Sequence, residues 1–161
     1  MKKIITSTLS LLLIFVTFFM FGCKNNKEEE VLKDVKLNEL VVEVIKNAGI
    51  DNTDWGTYEF STKEEAAVIV GTESFESNFT KGVKYTPLMG FSFEFAIFEA
   101  SSIDEAIALK AEIEKEANPN KWICATAESV KVVTKANLVL FVMATEERAT
   151  NIVNAFNNYN F

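Results

Sequence analysis

The sequence predicts an α+β fold: an antiparallel sheet, helices mainly on one face, and an additional N-terminal helix. Three patterns predict it. The stretch "FSFEFAIFE" alternates strictly, "LVLFVMA" is apolar at every position, and the segments between them carry apolar residues at three- and four-residue spacing. The second half therefore has the order β-α-β-β-α, which is typical of a sheet packed against helices.

The first half begins with an amphipathic helix that Gly49 ends. Its apolar positions are Leu37, Leu40, Val41, Val44, Ile45 and Ala48. Residues 56–60 then predict a short strand. Over residues 61–70 two readings stay open, because Thr62 and Glu65 match a helix-starting capping box while "AVIVG" equally fits a strand. The polar, Ser/Thr/Asn-rich stretch Thr72–Pro87 predicts a long loop, and loops of that length are often functional.

The second half gives clearer signals. One strand is predicted with a single apolar face, formed by Phe91, Phe93, Phe95 and Ile97. Ser102 and Glu105 form a capping-box pattern at the start of a helix that ends before Pro119.

The C-terminal part predicts a hairpin followed by a last helix. Its strands are Ser129–Thr134 and Leu138–Ala144, joined by a turn at residues 135–137. The second strand is apolar on both faces, so we expect it to be central and covered twice. Thr145 then caps the final helix.

The chain begins with a different kind of segment. Lys2 and Lys3 precede an uncharged apolar run over residues 4–21. The run is at the lower limit of the about 17–25 residues that a membrane-spanning helix needs, so its length alone does not distinguish a signal peptide from a membrane span.

The residues after this run favour a signal peptide. The sequence "MFGC", which ends at Cys23, resembles a bacterial lipobox, although Phe21 stands where a small residue is usual. An ordinary secretory signal would need small residues before its cleavage site, and an uncleaved anchor is the other alternative. We therefore predict that residues 1–22 are a lipoprotein signal peptide and that Cys23 becomes the lipidated N-terminus, carrying palmitate-type acyl chains.

The predicted organisation after cleavage is a charged tether over residues 23–35 and one α+β domain over residues 36–161. Removing the two signal-peptide lysines leaves 14 basic and 23 acidic residues, a formal charge of −9. This acidity disfavours nucleic acid as a partner. The expected location is the extracytoplasmic face of the cell membrane, with the lipid as the anchor.

The composition also limits the chemistry. The chain contains no His, which excludes Ser-His-Asp and Cys-His catalysis. With Cys23 lipidated, Cys124 is the remaining thiol, and its apolar neighbours predict a buried, unreactive side chain. No cofactor and no metal site are predicted.

From "LMGFSFEFAIFEASSIDEA" to "VVTKANLVLFVMATEERATNIVNAF" the pattern resembles a domain of unknown function in small lipoproteins of clostridia and related Gram-positive bacteria. The resemblance covers roughly residues 37–156, and the family typically has a Gly in the hairpin turn, where this chain has Lys135-Ala136-Asn137. It implies the lipid anchor and the fold, and it carries no catalytic residues.

Four aromatic residues in or near predicted loops are the candidate contact surface, together with the Thr72–Pro87 stretch. They are Trp55, Tyr58, Tyr85 and Trp122. Glu94 lies among Phe residues in a strand, where it is either a solvent-facing side chain or an acid with a raised pKa. We interpret it as solvent-facing.

These observations favour a non-enzymatic binding or accessory module at the cell surface, acting on a protein or envelope component. The alternative is a small envelope hydrolase that uses two carboxylates, which would need two acidic groups about 5–9.5 Å apart in a cleft.

Overall fold

A computed structural model describes residues 30–50, 55–87 and 92–161 of the chain. The predicted signal peptide, Cys23 and most of the predicted tether lie outside these residues, as does Phe91. The last tether residues are described: Leu32 and Val35 are partly buried and pack against the domain.

The described residues form four helices and five strands. In chain order they are α1 (Leu37–Asn47), β1 (Trp55–Phe60), α2 (Lys63–Val70), β2 (Lys81–Pro87), β3 (Glu94–Glu99), α3 (Ile103–Glu116), β4 (Ser129–Lys135), β5 (Leu138–Ala144) and α4 (Glu146–Asn157). The strands make one sheet in the order β1-β2-β3-β5-β4, and every neighbouring pair is antiparallel. The predicted α+β class with an antiparallel sheet is confirmed.

Strand β5 is covered on both faces, as its sequence predicts. All seven of its side chains are buried, because β3 and β4 flank it and apolar groups cover both sides. Leu140 and its row point into a first core, which helices α1 and α4 close. Phe141 and its row point into a second core, which helices α2 and α3 close. The helices are thus divided two and two between the faces, whereas the sequence predicted that most lie on one.

Helix α2 settles the alternative that the sequence left open for residues 61–70. The Thr62 hydroxyl accepts a hydrogen bond from the Glu65 N–H, and the Glu65 carboxylate accepts from the Thr62 N–H. Gly71 ends the helix with a φ of 85°, a left-handed conformation that suits glycine. The apolar run forms a helix because four of its side chains reach the second core, namely Ala66, Ala67, Ile69 and Val70.

The prediction of a loop over Thr72–Pro87 is wrong for the second half of this stretch, which forms strand β2. Val83 and Tyr85 alternate with polar residues and enter the first core, a weak pattern that the surrounding Ser, Thr and Asn residues hide. The preceding segment is held against helix α3, because the Glu112 carboxylate accepts hydrogen bonds from the N–H groups of Glu76 and Ser77 at 2.7 Å each.

The predicted hairpin between β4 and β5 is confirmed. Ala136 lies in its turn with a φ of 52°, the conformation for which glycine is usual. Asn137, also in the turn, is 1% exposed. Its side chain donates to the Ala100 carbonyl at 3.0 Å and accepts from the Leu32 N–H at 2.8 Å. The turn therefore fastens both the start of the domain and the end of β3.

Gly82 in strand β2 lies directly beneath the ring of Phe60. A Cβ atom added at Gly82 would be 2.2 Å from that ring. The ring in turn packs edge-on against Phe98, with their centroids 5.0 Å apart. A glycine is needed here because the ring occupies the space that a side chain would take.

We predict that Gly82→Ala lowers the free energy of unfolding by about 1–3 kcal/mol, the usual cost of overpacking a core. Urea unfolding of the purified protein measures it. Gly56→Ala is the matched control, because a Cβ at Gly56 in the neighbouring strand meets no atom within 4 Å. Equal effects of the two substitutions would contradict this account of Gly82.

Candidate functional site

The best candidate site is an open groove between helix α2 and strands β1 and β2, here called the α2 groove. Its volume is about 400 Å³. The lining side chains are Tyr58, Glu64, Glu65, Val68, Ile69 and Lys84. The lining is mostly apolar with charges at its rim, which is the usual composition of a ligand-binding cleft.

Tyr58 supplies the aromatic surface of the groove. Its side chain is 51% exposed, although its hydroxyl is held by a 2.6 Å hydrogen bond to the Glu65 carboxylate. Lys84 lies directly across the β1–β2 ladder, and its Nζ is 5.7 Å from the centroid of the Tyr58 ring. The ring is thus fixed in position while one of its sides remains open to a partner.

Val68 lines the groove from helix α2. It lies on the outer face of helix α2 and is 72% exposed, whereas its neighbour Ile69 is buried in the second core. The helix therefore presents an apolar side chain to solvent within the groove.

Glu65 is committed to structural hydrogen bonds. Its carboxylate accepts from the Tyr58 hydroxyl and from the N–H groups of Ser61 and Thr62. The hydrogen bond from Tyr58, followed by those from Ser61 and Thr62, lowers the pKa of Glu65 to about 2. The same bond raises the pKa of Tyr58. Glu65 is therefore ionised at neutral pH and has no proton to give.

Lys121 fastens the C-terminal end of helix α2. Its Nζ donates to the backbone carbonyls of Ile69 at 2.6 Å and Val68 at 3.1 Å. These are carbonyls of the last helical turn, which need partners from outside the helix. Because Val68 and Ile69 also line the α2 groove, Lys121 positions one wall of the site.

Lys121 also pairs with Glu94, which corrects our interpretation of Glu94 as solvent-facing. Glu94 is 8% exposed and accepts from the Lys121 Nζ at 2.6 Å. It begins β3 on the side of the sheet where the Lys121 side chain lies. Burial lowers the pKa of Lys121, and the charge of Glu94 opposes this shift. Local sequence patterns do not predict this ion pair, because its two residues are 27 positions apart in the chain.

The four aromatic residues predicted as one contact surface do not form one. Tyr58 lines the α2 groove, but Tyr85 is 3% exposed in the first core, on the other face of the sheet. Trp122 is half-buried against the second core, with the Lys121 Nζ 5.2 Å from its ring centroid. Trp55 begins β1, and its side chain lies outside the described residues.

The prediction for Cys124 is wrong, because its side chain is exposed. It follows Ile123, which is fully exposed, in a loop between α3 and β4. Its adjacent apolar neighbours, Ile123 and Ala125, are therefore themselves at the surface.

No three His, Cys, Asp or Glu side chains of the described residues are grouped so that they could hold a metal ion. Within residues 30–50, 55–87 and 92–161, none of the helices combines the length and apolar character needed to cross a bilayer.

Comparison of the chain with protein-family models, curated proteins and solved structures finds no match. The resemblance to small clostridial lipoproteins therefore stays a prediction.

We predict that Lys121→Met lowers the free energy of unfolding by about 3–5 kcal/mol, because it leaves the buried Glu94 carboxylate without its partner. The double variant Lys121→Met/Glu94→Leu should recover the part of this loss that comes from the unpaired Glu94, while the loss of the hydrogen bonds to the Val68 and Ile69 carbonyls remains. Urea unfolding of the single and double variants measures both effects.

Lys131→Met is the matched control for this cycle. It removes a pair with Glu146 in which the two side chains are 30% and 65% exposed. Exposed pairs contribute about 0–1 kcal/mol. A loss at Lys121 no larger than the loss at Lys131 would refute the structural role of the buried pair.

The lowered pKa of Glu65 makes the stability of the domain depend on pH. The lowered pKa of Glu65 adds stability that is fully present above about pH 4.5, the usual range of a Glu, and is lost as the pH falls through about 2. Glu65→Gln should therefore reduce stability at neutral pH, and its deficit should shrink between about pH 4.5 and 2.

Urea midpoints measured from pH 7 to pH 2 test this prediction. Tyr58→Phe is the companion variant, because it removes the hydrogen bond that contributes most to the pKa shift of Glu65. It should move the loss of stability to higher pH. A Glu65→Gln deficit that is the same at every pH would show that the carboxylate charge is not responsible.

Proposed function

We propose that this chain is a lipid-anchored extracytoplasmic protein whose domain is a non-enzymatic binding or accessory module at the cell surface. The proposed anchor rests on the sequence. Two lysines, an uncharged apolar run and the lipobox-like "MFGC", which ends at Cys23, follow one another in the order that lipoprotein signals have. Two or more acyl chains on this residue would hold the domain stably at the membrane.

The α2 groove is the observation that supports binding. Tyr58 and Val68 both line this open cleft and have large exposed fractions, and Lys84 adds a positive charge beside the Tyr58 ring. Exposed aromatic and aliphatic side chains in a cleft are typical anchors for a partner. The capping box and Lys121 fix helix α2 at its two ends, so the domain holds this wall of the groove in place.

The carboxylates near the groove favour binding over the hydrolase alternative. A general acid needs a raised pKa, whereas Glu65 has a pKa of about 2. Glu94 is already paired with Lys121. A hydrolase would have to draw its acid from Glu64 or another carboxylate, because Glu65 and Glu94 both have structural partners.

The anchor is tested by the intact mass of the protein extracted from membranes of a Gram-positive host. We expect a species that begins at Cys23 and carries added acyl mass. A Cys23→Ser variant is the control and should stay unlipidated. A native chain of full length without acyl mass would overturn the proposed anchor.

The groove is tested on the same cells with a photo-cross-linking amino acid at position 68. We expect a defined adduct that weakens at least several-fold in a Tyr58→Ala background. Ile107 is the matched control position, because it is also an exposed aliphatic residue, 56% exposed, but lies on helix α3. Equal adducts at positions 68 and 107 would contradict a specific partner at the groove.

A further inference from the structure

The segment that leads into the domain, which includes Leu32, is attached at one end of the sheet. The Leu32 N–H donates to the side chain of Asn137 in the β4–β5 turn. Asn137 is buried, and its side chain also donates a hydrogen bond to the Ala100 carbonyl. The hydrogen bond to Leu32 is therefore part of the folded domain. We call this side the hairpin end. It contains the β4–β5 turn, the start of β2 and the end of β3.

The C-terminal residues return to the same end and bring aromatic side chains with them. Lys135, at the end of β4, donates to the carbonyls of Asn157 at 2.9 Å and Tyr159 at 2.6 Å. Its Nζ is 4.9 Å from the ring centroid of Phe161. The rings of Tyr159 and Phe161 pack with centroids 5.0 Å apart, and Phe161 is 46% exposed.

The two aromatic rings adjoin the point where the chain enters. Leu32, Tyr159 and Phe161 line one shallow cavity at the hairpin end. The Phe161 ring is thus a large exposed apolar group beside the segment that leads back toward Cys23.

The length of this segment limits how far the hairpin end can be from a bilayer. Nine chain steps separate Cys23 from Leu32, and a fully extended chain covers at most about 3.3–3.6 Å per residue. A lipid on Cys23 would therefore keep Leu32 within about 30 Å of the membrane. The opposite end of the sheet lies a further distance of roughly 20 Å away, the length of a seven-residue strand.

We infer that the hairpin end rests on the bilayer surface, with the rings of Tyr159 and Phe161 in the headgroup region. This inference rests on the proposed lipid anchor. Tyr159 has an apolar ring with a polar hydroxyl and suits the membrane–water interface, and Phe161 adds an exposed apolar ring beside it. Lys135 holds the C-terminal backbone in place beneath the two rings. The exposed Ile123 and Cys124 lie at the other end, facing away from the membrane.

The contact is aromatic rather than electrostatic. Lys33 and Lys36 are exposed at this end of the domain, but Glu30 and Asp34 are exposed beside them. The surface thus has no basic excess that would attract anionic lipid, and the chain as a whole is acidic. The depth of the contact should not increase with the anionic content of the bilayer.

The test uses the mature chain from Cys23, bound to phosphatidylcholine vesicles that contain lipids with a nitroxide on the headgroup. An environment-sensitive dye is attached through an azide-bearing amino acid, either at Asn160 beside the two rings or at Ile123 at the opposite end. We expect the dye at position 160 to be quenched several-fold more than the dye at position 123. Equal quenching, or stronger quenching at position 123, would overturn the inferred orientation.

Two further comparisons identify the cause of the contact. Phe161→Ser should reduce quenching of the dye at position 160, while Ile107→Ser, which changes an exposed apolar residue on α3, should not. Enriching the vesicles in phosphatidylglycerol should leave the quenching no stronger. A marked increase, or no effect of Phe161→Ser, would refute an aromatic contact.

The failure of the anchor and the failure of the orientation can be distinguished. Intact mass reports whether the natural chain carries a lipid. Where it carries none, the same dye positions are measured in a Cys124→Ala chain whose Cys23 is coupled to a maleimide lipid. Preferential quenching at position 160 in that chain would support the membrane-facing surface even though the natural anchor had failed.

Discussion

The burial of strand β5 on both faces is the constraint on which the rest of the structure depends. A strand with seven buried side chains in two opposite rows needs apolar cover on each side of the sheet. The first core supplies it through α1 and α4, and the second through α2 and α3. Because β3 and β4 pair with both edges of β5, its backbone groups are also satisfied in the interior. Two helices per face follow from this arrangement.

The second core also fixes the position of helix α2, which forms part of the α2 groove. Helix α2 buries four apolar side chains in that core and is fixed at its start by the Thr62–Glu65 capping box. Its end is fixed by Lys121, which binds two carbonyls of α2 and also Glu94 on β3. A buried ion pair of this kind is costly to form, and its use here is consistent with setting the position of the helix relative to the sheet. The walls of the groove are thereby kept apart.

Much of the fold could be predicted from sequence because its signals are local. Strand β5, the β4–β5 hairpin and the capped helix α3 follow from alternation, two-sided apolar character and the Ser102 cap. Strand β2 was missed because only Val83 and Tyr85 carry its buried pattern, within a polar context. The helical state of residues 61–70 depends on contacts with the second core, which periodicity over eight residues does not reveal.

The candidate site was harder to predict because it is assembled from distant segments. The sequence indicates Tyr58 as part of a contact surface because it is an aromatic residue near a predicted loop. Its partner in the groove, Lys84, belongs to the stretch that the sequence predicts as a loop and that forms strand β2. Tyr85 was misassigned for the same reason: without strand β2 its alternation with Lys84, and hence its burial, is not visible. The pairing of Glu94 with Lys121 depends on tertiary structure alone.

The position of the α2 groove is compatible with both proposals. Strand β1 is one edge of the sheet, and the groove opens beside it, whereas both α3 and α4 contact the strand at the other edge, β4. The chain enters at the hairpin end of the β4–β5 pair, so β1 is separated from that turn by the full width of the sheet. A bilayer beneath the hairpin end would face the end of β1, because Phe60 pairs with Gly82 at the start of β2. Val68 lies in the last turn of α2, which Lys121 joins to Glu94 at the opposite end of the sheet. A partner at the cell surface could reach Tyr58 and Val68 from the β1 edge without displacing the anchor.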